Sequence, residues 1–168
     1  VESKLGAADI LINNAGIIQS FVMINDLTVE AAAKVMNVNF HGPLMLTKAF
    51  LPGLLARPEG HILNVSSMGA YAPVPGQSVY GASKAAVKLM TEGLYAELLD
   101  TNVHVTAVFP GATATNIAAN SGIAMEAPAD ASASSFKTLP AADAARLIVE
   151  GIEKNAYHVF TGSDAKMM

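Results

Sequence analysis

Cysteine and tryptophan are both absent from the 168 residues, and charged side chains make up only 14% of them. Without cysteine the chain can form neither a disulfide nor a thiolate-bound metal site, which suits a reducing compartment, and we expect a cytoplasmic protein. An average soluble protein carries about 25% charged residues. The low charge and the 52% hydrophobic content therefore indicate strands buried on both faces or large subunit interfaces.

Further absences exclude several classes of partner. The net charge is −4 and there is no basic run, so we expect no binding of nucleic acid. No apolar stretch reaches the roughly 20 residues that a membrane span needs. The histidines lack metal-ligand spacing and close acidic partners, so no metal site is predicted and we interpret them as edge or packing residues. They are His41, His61, His104 and His158.

Short apolar runs alternate along the chain with helical patterns. The runs predict strands at Asp9–Ile12, His61–Val65, Val103–Phe109 and Tyr157–Thr161. Helices are predicted at Val29–Met36, with Thr28 as its N-cap, and at Phe40–Leu55, Val79–Leu99 and Ala141–Lys154. Pro52 is expected to end or kink the second of these helices.

This alternation predicts an α/β fold with a parallel sheet and right-handed crossovers. Ligands of open α/β sheets bind beyond the carboxyl ends of the strands. Asn14, Ser67 and Gly111 each follow a predicted strand, so we expect them to lie at the same edge of the sheet.

Tyr80 and Lys84 lie one turn apart on the predicted helix Val79–Leu99. A phenol is a poor acid or base at neutral pH, but an ammonium group beside it lowers its pKa. Such a pair is suited to proton transfer. Taken alone the spacing is a weak signal, because most tyrosine–lysine pairs of this kind are surface residues.

The pair belongs to one of five motifs that occur in a fixed order along the chain. They are Asn13–Gly16, Val38–Gly42, Asn64–Ser67, Tyr80–Lys84 and Pro110–Thr115. With them the chain resembles the single-domain branch of the short-chain dehydrogenase/reductase family over nearly its whole length. The resemblance implies a Rossmann-like doubly wound parallel sheet. Residues 1–168 would form one partial domain, the C-terminal portion of that fold, with about four strands and their flanking helices.

The resemblance implies an oxidoreductase that transfers a hydride between a nicotinamide cofactor and a carbonyl or alcohol carbon. Tyr80 would donate or accept the proton, and Lys84 would lower the pKa of Tyr80 and bind the nicotinamide ribose. Ser67 would bind the substrate oxygen, and its distance from Tyr80 along the chain favours it over Ser66. Asn39 would hold a water beside Lys84 as a proton relay.

Two of these residues have alternative interpretations. Asn39 is also typical of the cap at the start of a helix. Ser67 is also typical of an ordinary turn.

The cofactor implied is NAD or NADP. Gly16 would let the backbone approach it closely, and Thr113 and Thr115 would hold its carboxamide through a backbone group and a hydroxyl. The residues implied to bind it are Asn14, Ala15, Gly16, Tyr80, Lys84, Pro110, Gly111, Thr113 and Thr115.

Residues 116–140 correspond to the segment that forms the substrate lid in this family, and their composition indicates mobility. Apolar residues here and after Ser67 favour a small apolar carbonyl or alcohol substrate; they are Ile117, Ile123, Met125, Phe136, Met68, Tyr71, Val74 and Pro75. The apolar helices Phe40–Leu55 and Val79–Leu99 predict a homodimer or homotetramer.

The family's phosphate-binding loop, Thr-Gly-x-x-x-Gly-x-Gly, does not occur in the sequence. Because that loop holds the diphosphate at a helix N-terminus, we expect these 168 residues alone to bind cofactor weakly and to be inactive. Asp9–Ile12 is expected to form an uncovered apolar edge. The alternative to an oxidoreductase is a truncated, non-catalytic fragment that acts only as an oligomerising module.

Overall fold

The computed structural model of the chain describes residues 2–123 and 138–165. The helices are α1 (Glu2–Leu5), α2 (Val29–Met36), α3 (Gly42–Leu55), α4 (Ser78–Glu97), α5 (Ile117–Asn120) and α6 (Ala141–Glu153). The strands are β1 (Ile10–Asn13), β2 (Gly60–Val65), β3 (Val103–Pro110), β4 (Thr113–Ala114), β5 (Leu139–Pro140) and β6 (His158–Thr161). A π-helical turn covers Asn37–His41 and a 3-10 turn covers Met68–Ala70.

The four longer strands form one parallel sheet in the order β1-β2-β3-β6. Ile62 packs with Leu54 of α3 and Leu94 of α4 on one face of this sheet. Its neighbour Leu63 packs on the opposite face, against Ile148 of α6. Helices therefore cover both faces, as the doubly wound α/β prediction requires. The predicted strands and helices agree with the observed ones to within two residues at each end.

One helical segment runs without a break from Val29 to Leu55 through α2, the π turn and α3. It begins as predicted, because the Thr28 hydroxyl oxygen accepts a hydrogen bond from the backbone N–H of Ala31 at 3.1 Å. Pro52 was predicted to end or kink the helix. It does not end the helix, since α3 continues to Leu55. Pro52 stands in the last turn, so the one hydrogen bond that it removes leaves most of the helix intact.

A buried polar network joins β1 and β2 to the helices behind them. Nδ2 of Asn13 donates to Oδ1 of Asn64 at 2.7 Å and to the hydroxyl oxygen of Thr47 at 3.4 Å. Nδ2 of Asn64 donates to the hydroxyl oxygen of Thr91 at 2.9 Å. Each of these four side chains is at least nine-tenths buried, and the hydrogen bonds offset the cost of burying them.

The β1 strand lies at the edge of the sheet, as predicted for this apolar run. Leu11 and Asn13 are buried against α3, whereas Ile10 and Ile12 are each 48% exposed. The β1 strand therefore presents both an unpaired backbone edge and an apolar face.

Candidate active site

Tyr80 stands in the first turn of α4, opposite the loop that follows β2. Its ring and the Ser67 hydroxyl are neighbours, since Cε1 of Tyr80 and Oγ of Ser67 lie 3.2 and 3.4 Å from the position that a Cβ atom on Gly69 would take. Burial raises the pKa of Tyr80, because a phenolate would lose its hydration, while the Ser67 hydrogen bond lowers that pKa. The Ser67 oxygen also accepts from the backbone N–H of Gly69 at 3.0 Å, which leaves the serine hydroxyl to donate to the phenol.

Lys84 lies one turn further along α4 and is only 3% exposed. Its Nζ donates to the carbonyl oxygen of Val65 at 2.9 Å, and burial lowers the pKa of its ammonium group to about 8. We predicted that Lys84 lowers the pKa of Tyr80. The structure differs, because burial outweighs other influences and raises the pKa of Tyr80, and the group that lowers it is Ser67.

The two adjacent serines are turned to different partners. Ser66 is 2% exposed, and its hydroxyl donates to the carbonyl oxygen of Lys84 at 2.7 Å. Ser66 thereby anchors α4 to the end of β2, and Ser67 is the serine that faces Tyr80. Ser67 also caps the short turn Met68–Ala70, which confirms the turn interpretation, while its contact with a substrate oxygen stays a prediction.

Asn39 is buried within the π turn, and it is not a cap, since helix both precedes and follows it. Its Oδ1 accepts from the backbone N–H of Ile17 at 2.8 Å, and its Nδ2 donates to the Ile17 carbonyl oxygen and to the Ser83 hydroxyl oxygen, each at 2.9 Å. A Cβ atom on Gly16 would lie 3.2 Å from Nζ of Lys84 and 3.6 Å from Oδ1 of Asn39. Asn39, Gly16 and Lys84 are therefore neighbours, in a π turn of the kind that is frequent at functional sites.

Of the residues implied to bind a cofactor, Tyr80 and Lys84 lie on α4, and the other seven lie at or after the carboxyl ends of β1 and β3. Asn14, Ala15 and Gly16 follow β1, with Asn14 and Ala15 exposed. Pro110 ends β3, Gly111 follows it, and Thr113 and Thr115 lie at β4. Of these seven residues, Gly16 lies beside the Lys84 ammonium group.

Asp164 packs against the turn that follows β3, a contact that the sequence analysis did not predict. Its Oδ2 accepts from the backbone N–H of Ala112 at 2.8 Å, and its carboxylate stands where a side chain on Gly111 would have to be. The signal available was a polar turn, Gly162–Asp164, after the last strand.

A cavity of about 180 Å³ adjoins Tyr80 and has an almost wholly apolar wall. Val74, one of the apolar residues from which an apolar substrate was predicted, lines this cavity, and so do Ile18 and Phe21, which were not among them. Tyr71, another of those residues, packs edge-on against Phe109, with ring centroids 5.1 Å apart. The cavity is lined by Ile18, Phe21, Gly69, Val74, Gln77, Tyr80 and Gly81. Residues 124–137 of the predicted lid, with Met125 and Phe136, lie outside the described residues.

A second cavity, of about 500 Å³, lies at the opposite end of the sheet among charged residues, including the ion pair of Asp9 and Arg57. It is remote from Tyr80, so its size does not make it the active site. Two histidines pair with glutamates, His158 with Glu92 at 3.1 Å and His104 with Glu59 at 3.4 Å. Within residues 2–123 and 138–165, no group of three potential ligands is placed to hold a metal ion.

No helix in the described part of the chain is long and apolar enough to cross a membrane.

The sequence model of the short chain dehydrogenase family matches residues 1–126. Dehydrogenase/reductase SDR family member 7B of Rattus norvegicus is 43% identical over 115 residues, which are 68% of this chain and 35% of that protein.

Two solved structures share the fold over nearly the whole chain. A short chain dehydrogenase from Burkholderia cenocepacia in complex with NADP is 32% identical, with a TM-score of 0.81 over 98% of this chain and 66% of that one. A short chain dehydrogenase/reductase from Burkholderia phymatum in complex with NAD is 26% identical, with a TM-score of 0.83 over 95% of this chain and 63% of that one. The chain thus spans from about a third to two thirds of the length of these proteins.

Proposed function

Because the chain belongs to the short-chain dehydrogenase family, we propose that it forms the catalytic part of an NAD- or NADP-dependent oxidoreductase in which Tyr80 transfers the proton. The observation that carries this proposal is the hydrogen bond between Tyr80 and Ser67 beside an apolar cavity, with the buried ammonium of Lys84 one turn away. The proposal of a non-catalytic oligomerising module is not favoured, since it gives no reason to bury a lysine at this edge of the sheet.

The cofactor would be held by the residues beyond β1 and β3. Gly16 leaves space beside Nζ of Lys84, which a Cβ atom would fill. The related Burkholderia proteins were solved with NAD and with NADP, and we propose one of these two cofactors for this chain. When bound, the nicotinamide supplies or takes up the hydride.

The protein's own groups handle the proton and the substrate oxygen. In reduction the Tyr80 hydroxyl donates its proton to the carbonyl oxygen of the substrate, and in oxidation it takes that proton back. The Ser67 hydroxyl donates either to the phenol oxygen or to the substrate oxygen, and in the second arrangement it stabilises the negative charge that develops there. The raised pKa of Tyr80 keeps the phenol protonated as a donor.

Lys84 and Asn39 would complete the site. We propose that the Lys84 ammonium binds the ribose hydroxyls of the cofactor. Asn39, next to Gly16 and Lys84, would hold the water through which the proton is exchanged with solvent.

The substrate we propose is a small apolar ketone, aldehyde or alcohol. The cavity beside Tyr80 has about 180 Å³, and Ile18, Phe21 and Val74 give it an apolar wall. Burial of apolar groups there would contribute roughly 25 cal/mol per Å² of area removed from water.

The assembly we propose is a homodimer or homotetramer in the cytoplasm. Its interface would be formed by α3 and α4, which expose Met45 and Leu89.

Tyr80→Phe is the variant that tests the proposed role. The ring still fills its place but has no proton to give. In an enzyme that also carries the diphosphate-binding loop, we expect kcat for reduction of a small apolar ketone to fall by about 100-fold or more. The cofactor Kd should stay unchanged. Tyr95→Phe, on the same helix but packed against Tyr157, is the matched control and should keep full activity. Full activity in Tyr80→Phe would remove Tyr80 from the mechanism.

A further inference from the structure

We propose that Gln19, which lies outside every motif named above, is a positioning residue that sets Tyr80 by capping the first turn of α4. The inference rests on the proposed function, because it matters for chemistry only if Tyr80 transfers the proton.

The cap is a pair of hydrogen bonds to one oxygen. Oε1 of Gln19 accepts from the backbone N–H of Val79 at 2.9 Å and from that of Tyr80 at 3.0 Å. The first amides of a helix have no carbonyl partner within the helix. The residue at the N-cap position of α4, Gln77, makes no side-chain capping bond. The cap of α4 is therefore supplied from 60 residues away in the sequence.

Gln19 is itself held rigidly, which a positioning residue requires. It is 3% exposed, and its Nε2 donates to the carbonyl oxygen of Gly76 at 2.9 Å. Nε2 of Gln77 donates in return to the Gln19 carbonyl oxygen at 2.7 Å. Gly76 has a φ of +78° in the turn that the Gln77 N–H closes onto the carbonyl oxygen of Val74, a conformation that favours glycine.

The short segment Ile17–Gln19 also joins the other parts of the site. Ile17 exchanges backbone hydrogen bonds with the side chain of Asn39, and the Ile18 N–H donates to the hydroxyl of Ser121 at 3.0 Å. Ile18 also lines the apolar cavity. One segment thus fixes the cavity wall and the start of α4 together.

Loss of the cap should move Tyr80 with respect to Ser67. Tyr80 belongs to α4, whereas Ser67 belongs to the loop after β2, so their hydrogen bond depends on how these two elements meet. Because burial raises the pKa of Tyr80 and the Ser67 hydrogen bond lowers it, a phenol that loses this bond while it stays buried should titrate at higher pH. A displacement of about 1 Å is enough to matter for catalysis.

The experiment measures the cap and the phenol separately, with neither cofactor nor substrate. Amide hydrogen exchange reports on Val79 and Tyr80. Titration of ¹³Cζ-tyrosine by NMR reports on the phenol, with Tyr80→Phe assigning its signal among the four tyrosines. Gln19→Leu removes the acceptor at similar size, and Gln19→Glu keeps an acceptor oxygen. Thr28→Val removes the cap of α2 and is the matched control.

In Gln19→Leu we expect both amides to lose roughly fivefold or more of their protection and the Tyr80 titration to move to higher pH. Gln19→Glu should keep the amide protection, and Thr28→Val should change neither signal. If Gln19→Leu does not fold, Gln19→Asn, whose amide falls short by one methylene, should show the same losses.

Two outcomes would overturn the proposal. One is free exchange of the Val79 and Tyr80 amides in the unaltered protein. The other is loss of their protection in Gln19→Leu with no change in the Tyr80 titration. Neither outcome depends on turnover. A protein that is inactive but shows the expected exchange and titration results would therefore contradict the proposed function and still support the role of Gln19.

Discussion

Nζ of Lys84 donates a hydrogen bond to the carbonyl oxygen of Val65, the last residue of β2, across 2.9 Å. The lysine stem crosses from α4 to the sheet, and 97% of the residue is removed from solvent, since its exposed fraction is 3%. Burial disfavours the charged form, so the ammonium group is held at a cost in stability that cofactor binding would offset.

The pH dependence of stability should reveal that cost. The pKa of Lys84 is lowered from 10.5 to about 8, so between these values the unfolded chain binds more protons than the folded one. The contribution of Lys84 to the free energy of unfolding is lowest below pH 8 and should rise by about 3 kcal/mol as the pH increases to 10.5.

Urea unfolding of the protein and of Lys84→Met, at half-unit steps from pH 7 to pH 10, measures that rise as a difference between the two. Other titrating groups cancel in the comparison. A constant difference over this range would show that Lys84 keeps an ordinary pKa in the folded state.

Gly69→Ala should disturb the site without unfolding the protein. A Cβ atom there would lie 3.2 Å from Cε1 of Tyr80 and 3.4 Å from the Ser67 hydroxyl oxygen, tight enough to push the ring away from the serine. In an enzyme that also carries the diphosphate-binding loop, we expect kcat to fall about tenfold. Thermal unfolding and steady-state kinetics measure the two effects separately.

Gly93→Ala is the matched control for that substitution. Gly93 is exposed in the interior of α4, and nothing lies within 4 Å of its added Cβ atom. The change should raise stability by about 0.5–1 kcal/mol and leave kcat unchanged. Equal losses of activity in the two variants would contradict the steric argument.

The exposed apolar side chains of α3 and α4 should bring copies of the chain together. Met45 is 68% exposed and Leu89 is 70% exposed, which is an aggregation hazard in a monomer. Light scattering at micromolar concentration should give the mass of a dimer or a tetramer. Leu89→Asp should reduce that mass, and Val149→Asp on the opposite face of the sheet should keep at least the dimer. A monomeric unaltered protein would contradict the prediction.

The 168 residues by themselves should bind NADH only weakly. Their sequence contains no Thr-Gly-x-x-x-Gly-x-Gly loop for the diphosphate. Each charge-assisted hydrogen bond to a phosphate is worth roughly 1.5–3 kcal/mol, so losing several raises Kd by orders of magnitude. Calorimetry should detect no binding at micromolar concentrations. A micromolar Kd would show that the diphosphate is held by other residues of this chain.

Local patterns predicted most of the fold. The helix Val29–Met36 and its Thr28 cap are visible in the sequence because capping acts over three residues. The choice of Ser67 over Ser66 came from the interval to Tyr80 that the family resemblance implies, and Ser67 is the serine beside the phenol. Parallel pairing followed from apolar strands that alternate with helices.

Residues joined only by tertiary contacts were missed. Gln19 caps a helix 60 residues away, and Asp164 meets Ala112 across 52 residues, so no local pattern announces either. The pKa of Tyr80 was predicted in the wrong direction, because spacing shows that Lys84 is near but does not show how deeply the phenol is buried. Asn39 was identified from its motif, but its hydrogen bonds to Ile17 were not predicted, because they join residues that are distant in the sequence.

The hydrogen bond between the Asn13 and Asn64 side chains affects the register of β1 against β2. The two residues are opposite one another in the ladder, and their side chains meet at 2.7 Å. Ile10, Leu11 and Ile12 are nearly interchangeable apolar residues that would tolerate a shifted alignment. A slide of two positions would set Leu11 against Asn64 and leave a buried amide without its partner, at a cost of about 1–3 kcal/mol. The asparagine pair thus favours one register of β1 against β2, which the apolar residues of β1 alone would not specify.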